Sequence, residues 1–132
     1  MDTTSPLARA PITTILPVRD LARARRFYLD ALGLAPIGPR PDGQFLLEAG
    51  DRSRVALAPR PEGTKAEHTA LSFEVGDLGA AIARLEKRGV AFHDYDLPGF
   101  RTVDHVCAIP GLRCAWFSDP EGNVLCLHQD VS

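Results

Sequence analysis

Residues 16–34, LPVRDLARARRFYLDALGL, and residues 73–90, FEVGDLGAAIARLEKRGV, carry the same plan twice in one chain. In each, a strand-like run leads into Asp-Leu, an amphipathic helical pattern follows, and a glycine ends it. Asp20 and Asp77 suit the helix N-cap, where a short side-chain oxygen accepts from the orphan amides of the first turn. Their charge also suits the positive end of the helix dipole. Gly33 and Gly89 suit the left-handed position just past a helix C-terminus. Between these signals Leu21, Ala24, Phe27, Tyr28 and Leu32 form one apolar stripe, and Leu78, Ala81, Ile82 and Leu85 form another. A repeat of this kind sets the architecture of the whole chain.

Working outward, the runs that open the two halves are ITTILPV and TALSFEV. LAPIGPR, QFLLEAG and SRVALAP follow the first helix; VAFHDYD, LRCAWFS and NVLCLHQ follow the second. Turn signals separate several of them: Pro41-Asp42-Gly43, Gly50-Asp51-Arg52 and Asp119-Pro120-Glu121-Gly122-Asn123. The stretch PRPEGTKAE, rich in Pro, Gly and charge, reads as a linker. This predicts an α+β fold of two tandem βαβββ modules forming a curved eight-stranded sheet around a cleft. Residues 1–10 read as a flexible tail and 11–130 as one domain: module one over 11–59, linker over 60–66, module two over 67–130. The segment LPGFRTVDHVCAIPG is longer than a hairpin loop needs, and such loops often serve as lids over a binding site.

Bulk properties narrow the function classes. The chain has 132 residues, 45% hydrophobic and 24% charged, which suits one compact domain with a real core. A net charge of -2 gives no general attraction to nucleic acid or to an anionic membrane. No apolar stretch approaches the roughly 20 residues that span a bilayer, and MDTTSPLARA does not read as a secretory signal. Cys107, Cys114 and Cys126 are odd in number and form no CxxC pair, so reduced thiols in a cytoplasm are expected. There is no Gly-rich phosphate loop and no GxSxG nucleophile context.

The duplicated Asp-Leu helix starts, taken with AWFSDPEGNVLCL and with DYDLPGFRTVD ahead of it, resemble the vicinal-oxygen-chelate superfamily of glyoxalases, bleomycin resistance proteins and extradiol dioxygenases. The resemblance covers roughly residues 11–129. It implies a ligand cleft on concave sheet faces and, often, a homodimer; an open two-module sheet also leaves edges to cover. In metal-dependent members four His or Glu side chains hold a divalent ion. The matching positions here are Thr13, Ala56, Ala70 and Cys126. Alanine has no donor atom, a threonine hydroxyl is a weak neutral ligand, and a catalytic zinc typically takes about three protein ligands. The resemblance, with these departures, implies a metal-free protein that binds an antibiotic or another aromatic metabolite. The alternative is an enzyme (a lyase, isomerase or dioxygenase) with a rearranged metal or acid/base site.

The remaining candidates follow from position. Phe45, Phe100 and Trp116 offer ring area for a planar ligand, and the adjacent Trp116 and Phe117 must point to opposite faces of one strand. Strand alternation places His68 with Ala70, and His128 with Cys126, on the cleft side; His105 lies in the long loop. A displaced metal site of His68, His105 and His128, with Cys126 or Glu74, is the alternative to no cofactor. The plainer reading makes these histidines polar rim residues. His93 reads as surface on the sixth strand. Glu74, by parity with Ala70 and Ser72, is a candidate general base, and Cys126 a candidate thiol, more simply a small buried hydrophobe. Arg19, Arg23 and Arg26 share a helix face that reads as solvated.

Overall fold

The computed structural model describes residues 5–131, so the first four residues of the expected tail lie outside it. Module one runs β1 (Thr13–Val18), α1 (Leu21–Arg26), β2 (Ala35–Pro39), β3 (Phe45–Glu48) and β4 (Arg54–Pro59). Module two runs β5 (Thr69–Glu74), α2 (Leu78–Lys87), a small hairpin of β6 (Asp96–Leu97) and β7 (Phe100–Arg101), then β8 (Cys107–Ile109), β9 (Leu112–Ser118) and β10 (Val124–Asp130). Hydrogen bonding divides the main strands into two four-stranded mixed sheets, ordered β1-β4-β3-β2 and β5-β10-β9-β8. In each the first and last strands of the module pair in parallel, as β1 with β4 and β5 with β10. Among the described residues no helix is long and apolar enough to cross a membrane.

The caps work as the residues dictate. Asp20 Oδ1 accepts from the Arg23 amide and Asp77 Oδ1 from the Ala80 amide, both at 3.0 Å. Gly33 and Gly89 take φ of 73° and 92°, which only glycine adopts without strain. The first helix is not uniform: after Arg26 it widens into a π turn over Phe27–Ala31. From that turn two adjacent residues both reach module two, Phe27 with its ring centroid 6.4 Å from that of Phe117 and Tyr28 through its hydroxyl. β2, with Pro36 and Pro39, lies at a sheet edge, where a missing N–H is tolerated.

One side of each sheet carries its helix, and these helix-covered sides share a single core. Leu16, Val18, Leu47 and Leu57 from the first sheet join Ala115, Phe117, Leu125 and Leu127 from the second. The Asp119–Asn123 turn clasps the modules together. Glu121 accepts from the Arg19 and Asp20 amides at 2.9 and 3.0 Å and pairs with Arg23 at 3.1 Å. Tyr28 donates to Asp119 at 2.5 Å, and Asn123 Nδ2 donates to the Pro17 carbonyl at 3.1 Å. Asp119, Glu121 and Asn123 are all buried, so the turn is an internal tie and not a surface hairpin.

The stretch read as a sixth strand, VAFHDYD, is only briefly one. Phe92 bridges to Phe117 and the His93 amide donates to the Trp116 carbonyl. The chain then leaves the sheet. The Thr102 amide donates to the Tyr95 carbonyl, the Tyr95 amide donates to Thr102 Oγ1, and Thr102 Oγ1 also reaches Asp94. Such local side-chain bonds compete with a sheet ladder. The chain returns as β8, against the other end of β9. The segment read as one long loop therefore holds a hairpin and the fourth strand of the second sheet.

Candidate functional site

Alternation along the strands assigns the faces opposite the helices. On the first sheet this open face carries Thr13, Ile15, Leu46, Glu48, Arg54, Ala56 and Ala58. On the second it carries Ser72, Glu74, Cys107, Cys114, Trp116, Cys126 and His128. Leu46, Ala56, Ala58 and the three cysteines are buried yet stand outside the common core, as this division requires. Packing between the modules runs through the helix-covered sides. Among the described residues no hydrogen bond, ion pair or ring contact joins the two open faces. Thr13 and Ala56 thus lie on one open face, and Trp116, Cys126 and His128 on the other.

The second open face carries the most chemistry. The β6–β7 hairpin lies over it. The Trp116 ring meets that of Tyr95 edge-on at 5.7 Å and that of Phe100 at 5.2 Å, and Tyr95 and Phe100 are 5.0 Å apart. Trp116 Nε1 donates to Thr69 Oγ1 at 3.2 Å, which fixes the indole plane. His93 Nε2 lies 2.8 Å from Ser118 Oγ and its ring 6.4 Å from that of Tyr95. Between the hairpin and β8 is a cavity of about 650 Å³ lined by Leu97, Phe100, Arg101, Cys107 and Ile109. Beside the aromatic group, Ser72 Oγ sits 2.6 Å from His128 Nδ1, and Glu74 Oε1 lies 3.9 Å from His128 Nε2. A strand pair thus holds a hydroxyl, an imidazole and a carboxylate in one row, able to bind or move a proton on a ligand hydroxyl.

The three thiols form a second row. Cys107 stands opposite Cys114, and Cys126 lies diagonally across the neighbouring strand. Burial pushes the Cys114 thiol up to about 11, with further pushes from Cys126 and Cys107. Cys126 donates to the Leu127 carbonyl at 3.2 Å. A thiol held protonated is a poor nucleophile and a poor metal ligand.

Several residues expected at the cleft stand elsewhere. Phe45 is buried in the core on the helix-covered face, with the Arg25 guanidinium 4.0 Å from its ring centroid. Its strand alternates so that Leu46, not Phe45, faces outward. Ala70 is the extra residue of a β-bulge between the pairs Val124–Thr69 and Leu125–Leu71, and it packs against the core. A bulge flips the parity, so Thr69 takes the place by Trp116. His68 is exposed ahead of β5. His105 sits on the helix side, stacked on Phe92 at 6.0 Å between Asp94 (3.0 Å) and Glu86 of α2 (3.4 Å). It cannot combine with His128 there. His93, expected on the surface, is half-buried beneath the hairpin. Tyr95 was missed as a site residue, because nothing in the sequence reports that the hairpin folds back over β9; Ser72 was placed on the cleft side but given no role.

The residues at the four ligand positions do not fit a divalent metal: two alanines, one of them turned to the core, one hydroxyl, and one thiol bonded to a carbonyl. Among the described residues no three His, Cys, Asp or Glu side chains come together to hold an ion.

No curated protein matches the chain significantly. Among solved structures, the antibiotic binding protein TnmS3 from Streptomyces sp. CB03234 is 26% identical, with 99% of this chain and 100% of that one covered and a TM-score of 0.68. A glyoxalase/bleomycin resistance protein from Streptomyces sp. CB03234 is 28% identical, covering 91% of this chain and 100% of that one, at a TM-score of 0.68. Lactoylglutathione lyase from Agrobacterium tumefaciens shares the fold at 20% identity and a TM-score of 0.66, with 95% and 96% covered. The model of one family matches residues 10–127. With its duplicated modules and paired mixed sheets, the chain belongs to the glyoxalase/bleomycin resistance protein/dioxygenase superfamily.

Proposed function

We propose that this chain binds a planar aromatic metabolite or antibiotic without a metal, in the cytoplasm, at a cleft that a second copy of the chain completes. The observation that carries this is the Tyr95, Phe100 and Trp116 cluster on an open sheet face beneath a hairpin. Half-buried rings with one polar anchor suit stacking against a flat ligand. Two structural relatives above a quarter identity are described as an antibiotic binding protein and a glyoxalase/bleomycin resistance protein, which fits this reading. The homodimer rests on the separation of the two open faces within one chain and on their exposed apolar groups. Ile15 is 57% exposed on the first face and Ile109 43% on the second. A second copy laying its first sheet over this second sheet would cover both and enclose the ligand.

The test is a screen of aromatic antibiotics by quenching of the only tryptophan, Trp116. A saturable ligand is expected whose affinity is indifferent to chelator and falls on Trp116→Ala. Affinity that depends on added divalent metal would refute the metal-free reading. A second reading, acid/base catalysis, draws on the Ser72–His128–Glu74 row. It would be separated by a turnover that Glu74→Gln or His128→Ala lowers while binding is kept.

A further inference from the structure

A second cavity, of about 710 Å³, lies between the modules on the helix side, away from the aromatic cluster. That volume is typical of small-molecule sites. Half-buried Phe73 and Leu85 line it from module two, with Phe117 and Leu127 buried beneath them, and Leu34, just past the π turn, lines it from module one. Turns of this wide type are frequent where helices border functional sites.

Four charged residues line it, Glu48, Glu74, Arg84 and Arg88. Glu48 and Glu74 touch the cavity, but their strands alternate both carboxylates toward the open faces, where Glu74 approaches His128. Arg84 lies in the last turn of α2 and Arg88 at its C-cap four residues on, both exposed. Among the described residues, neither guanidinium has a carboxylate within salt-bridge reach. Arg88 reaches across to module one: a Cβ on Gly33 would stand 2.7 Å from its Nη1, so the absence of a side chain at residue 33 leaves room for the guanidinium. Two like charges one turn apart repel each other, and a bound anion relieves that repulsion while adding charge-assisted hydrogen bonds.

We infer that this groove binds a single-headed amphiphilic carboxylate, with its alkyl chain along Phe73 and Leu85 and its carboxylate between Arg84 and Arg88. This site is separate from the proposed aromatic cleft and does not depend on it.

Calorimetric titration of the intact chain with decanoate and with decyltrimethylammonium, equal chains with opposite heads, tests it. Decanoate is expected to bind saturably, to weaken about tenfold or more in Arg84→Gln/Arg88→Gln, and to bind unchanged in Trp116→Ala; the ammonium is expected not to bind. Equal affinity for both heads, or no saturable decanoate binding below about 1 mM, overturns the inference. So does undiminished binding by a double variant that melts like the parent. A dimer that dissociates on Arg84→Glu/Arg88→Glu, without any decanoate binding, also overturns it, because the groove then belongs to a second copy.

Discussion

Replacing Glu121 with alanine should cost about 3–5 kcal/mol of stability, the penalty for breaking a buried, hydrogen-bonded charge. Its side chain is only 1% exposed, and it accepts from two backbone amides of module one, those of Arg19 and Asp20. Alanine leaves both donors unpaired, at about 1–3 kcal/mol each. The third partner, Arg23, is 46% exposed and returns to water, so it adds little. Glu121→Gln keeps one acceptor and should lose roughly half as much. Urea unfolding at pH 7 reads both differences. Their pH dependence gives a further check. Burial pushes the Glu121 carboxyl up, but the Arg19 and Asp20 amides and the Arg23 guanidinium outweigh it and hold it below its ordinary value. A folded-state pKa below the unfolded one means the contribution is whole above the unfolded value of about 4.3. It fades as pH falls through the lower folded-state value. The gap between wild type and Glu121→Gln should therefore narrow in acid. A loss under about 1 kcal/mol for Glu121→Ala, or a gap constant down to low pH, would refute the clasp as the tie between modules.

The other side of the clasp should respond to base. Burial and then the Asp119 carboxylate raise the Tyr28 hydroxyl well above its ordinary pKa; its contribution is whole below the unfolded value of about 10 and is lost as pH rises beyond it. Tyr28→Phe should cost about 1–2 kcal/mol at pH 7 by thermal melting, and wild type should lose its lead over the variant in strong alkali. Native protein at pH 7.5 should take up iodoacetamide at none of its 3 buried thiols, and all 3 should react in urea; mass spectrometry of rapid native labelling at Cys114 would contradict the raised thiol. Asp77→Ala should remove about 1 kcal/mol through loss of the α2 cap, read in the same melts, and Asp77→Asn should recover most of it.

The helices, their caps and most strands were legible because they depend on local chemistry: a capping carboxylate, a stripe at helical spacing, a glycine where φ turns positive. The α+β class followed from the repeat of those signals. The site was less legible because face assignment is a matter of parity, and one residue inserted in a strand reverses it. The bulge at Ala70 turned an expected cleft position inward and brought Thr69 to Trp116. Phe45 was placed by its aromatic character, yet a ring with Leu57 opposite it across the sheet belongs to the core. His105 was assigned to the long loop as a candidate ligand beside His128, whereas two carboxylates of its own module hold it on the far side. The burial of Glu121 was beyond local reading: an Asp-Pro-Glu-Gly-Asn turn is polar by composition, and only its docking against module one excludes water.

The fourth position of the second sheet is occupied by two separated pieces of chain, Phe92–His93 and β8, with residues 94–106 leaving and re-entering between them. Those thirteen residues satisfy much of their own bonding, through Tyr95 with Thr102 and Val103 with Val106. Both stumps are anchored to β9, and between them the segment touches the rest of the module mainly through Tyr95 and Phe100 on Trp116 and His105 against Phe92 and Glu86. Lengthening, trimming or transplanting it would re-tailor what rests against Trp116 while the ladder beneath stays registered. If the open face holds the aromatic ligand proposed above, changes confined to that one insert should alter its preference without disturbing the strands beneath.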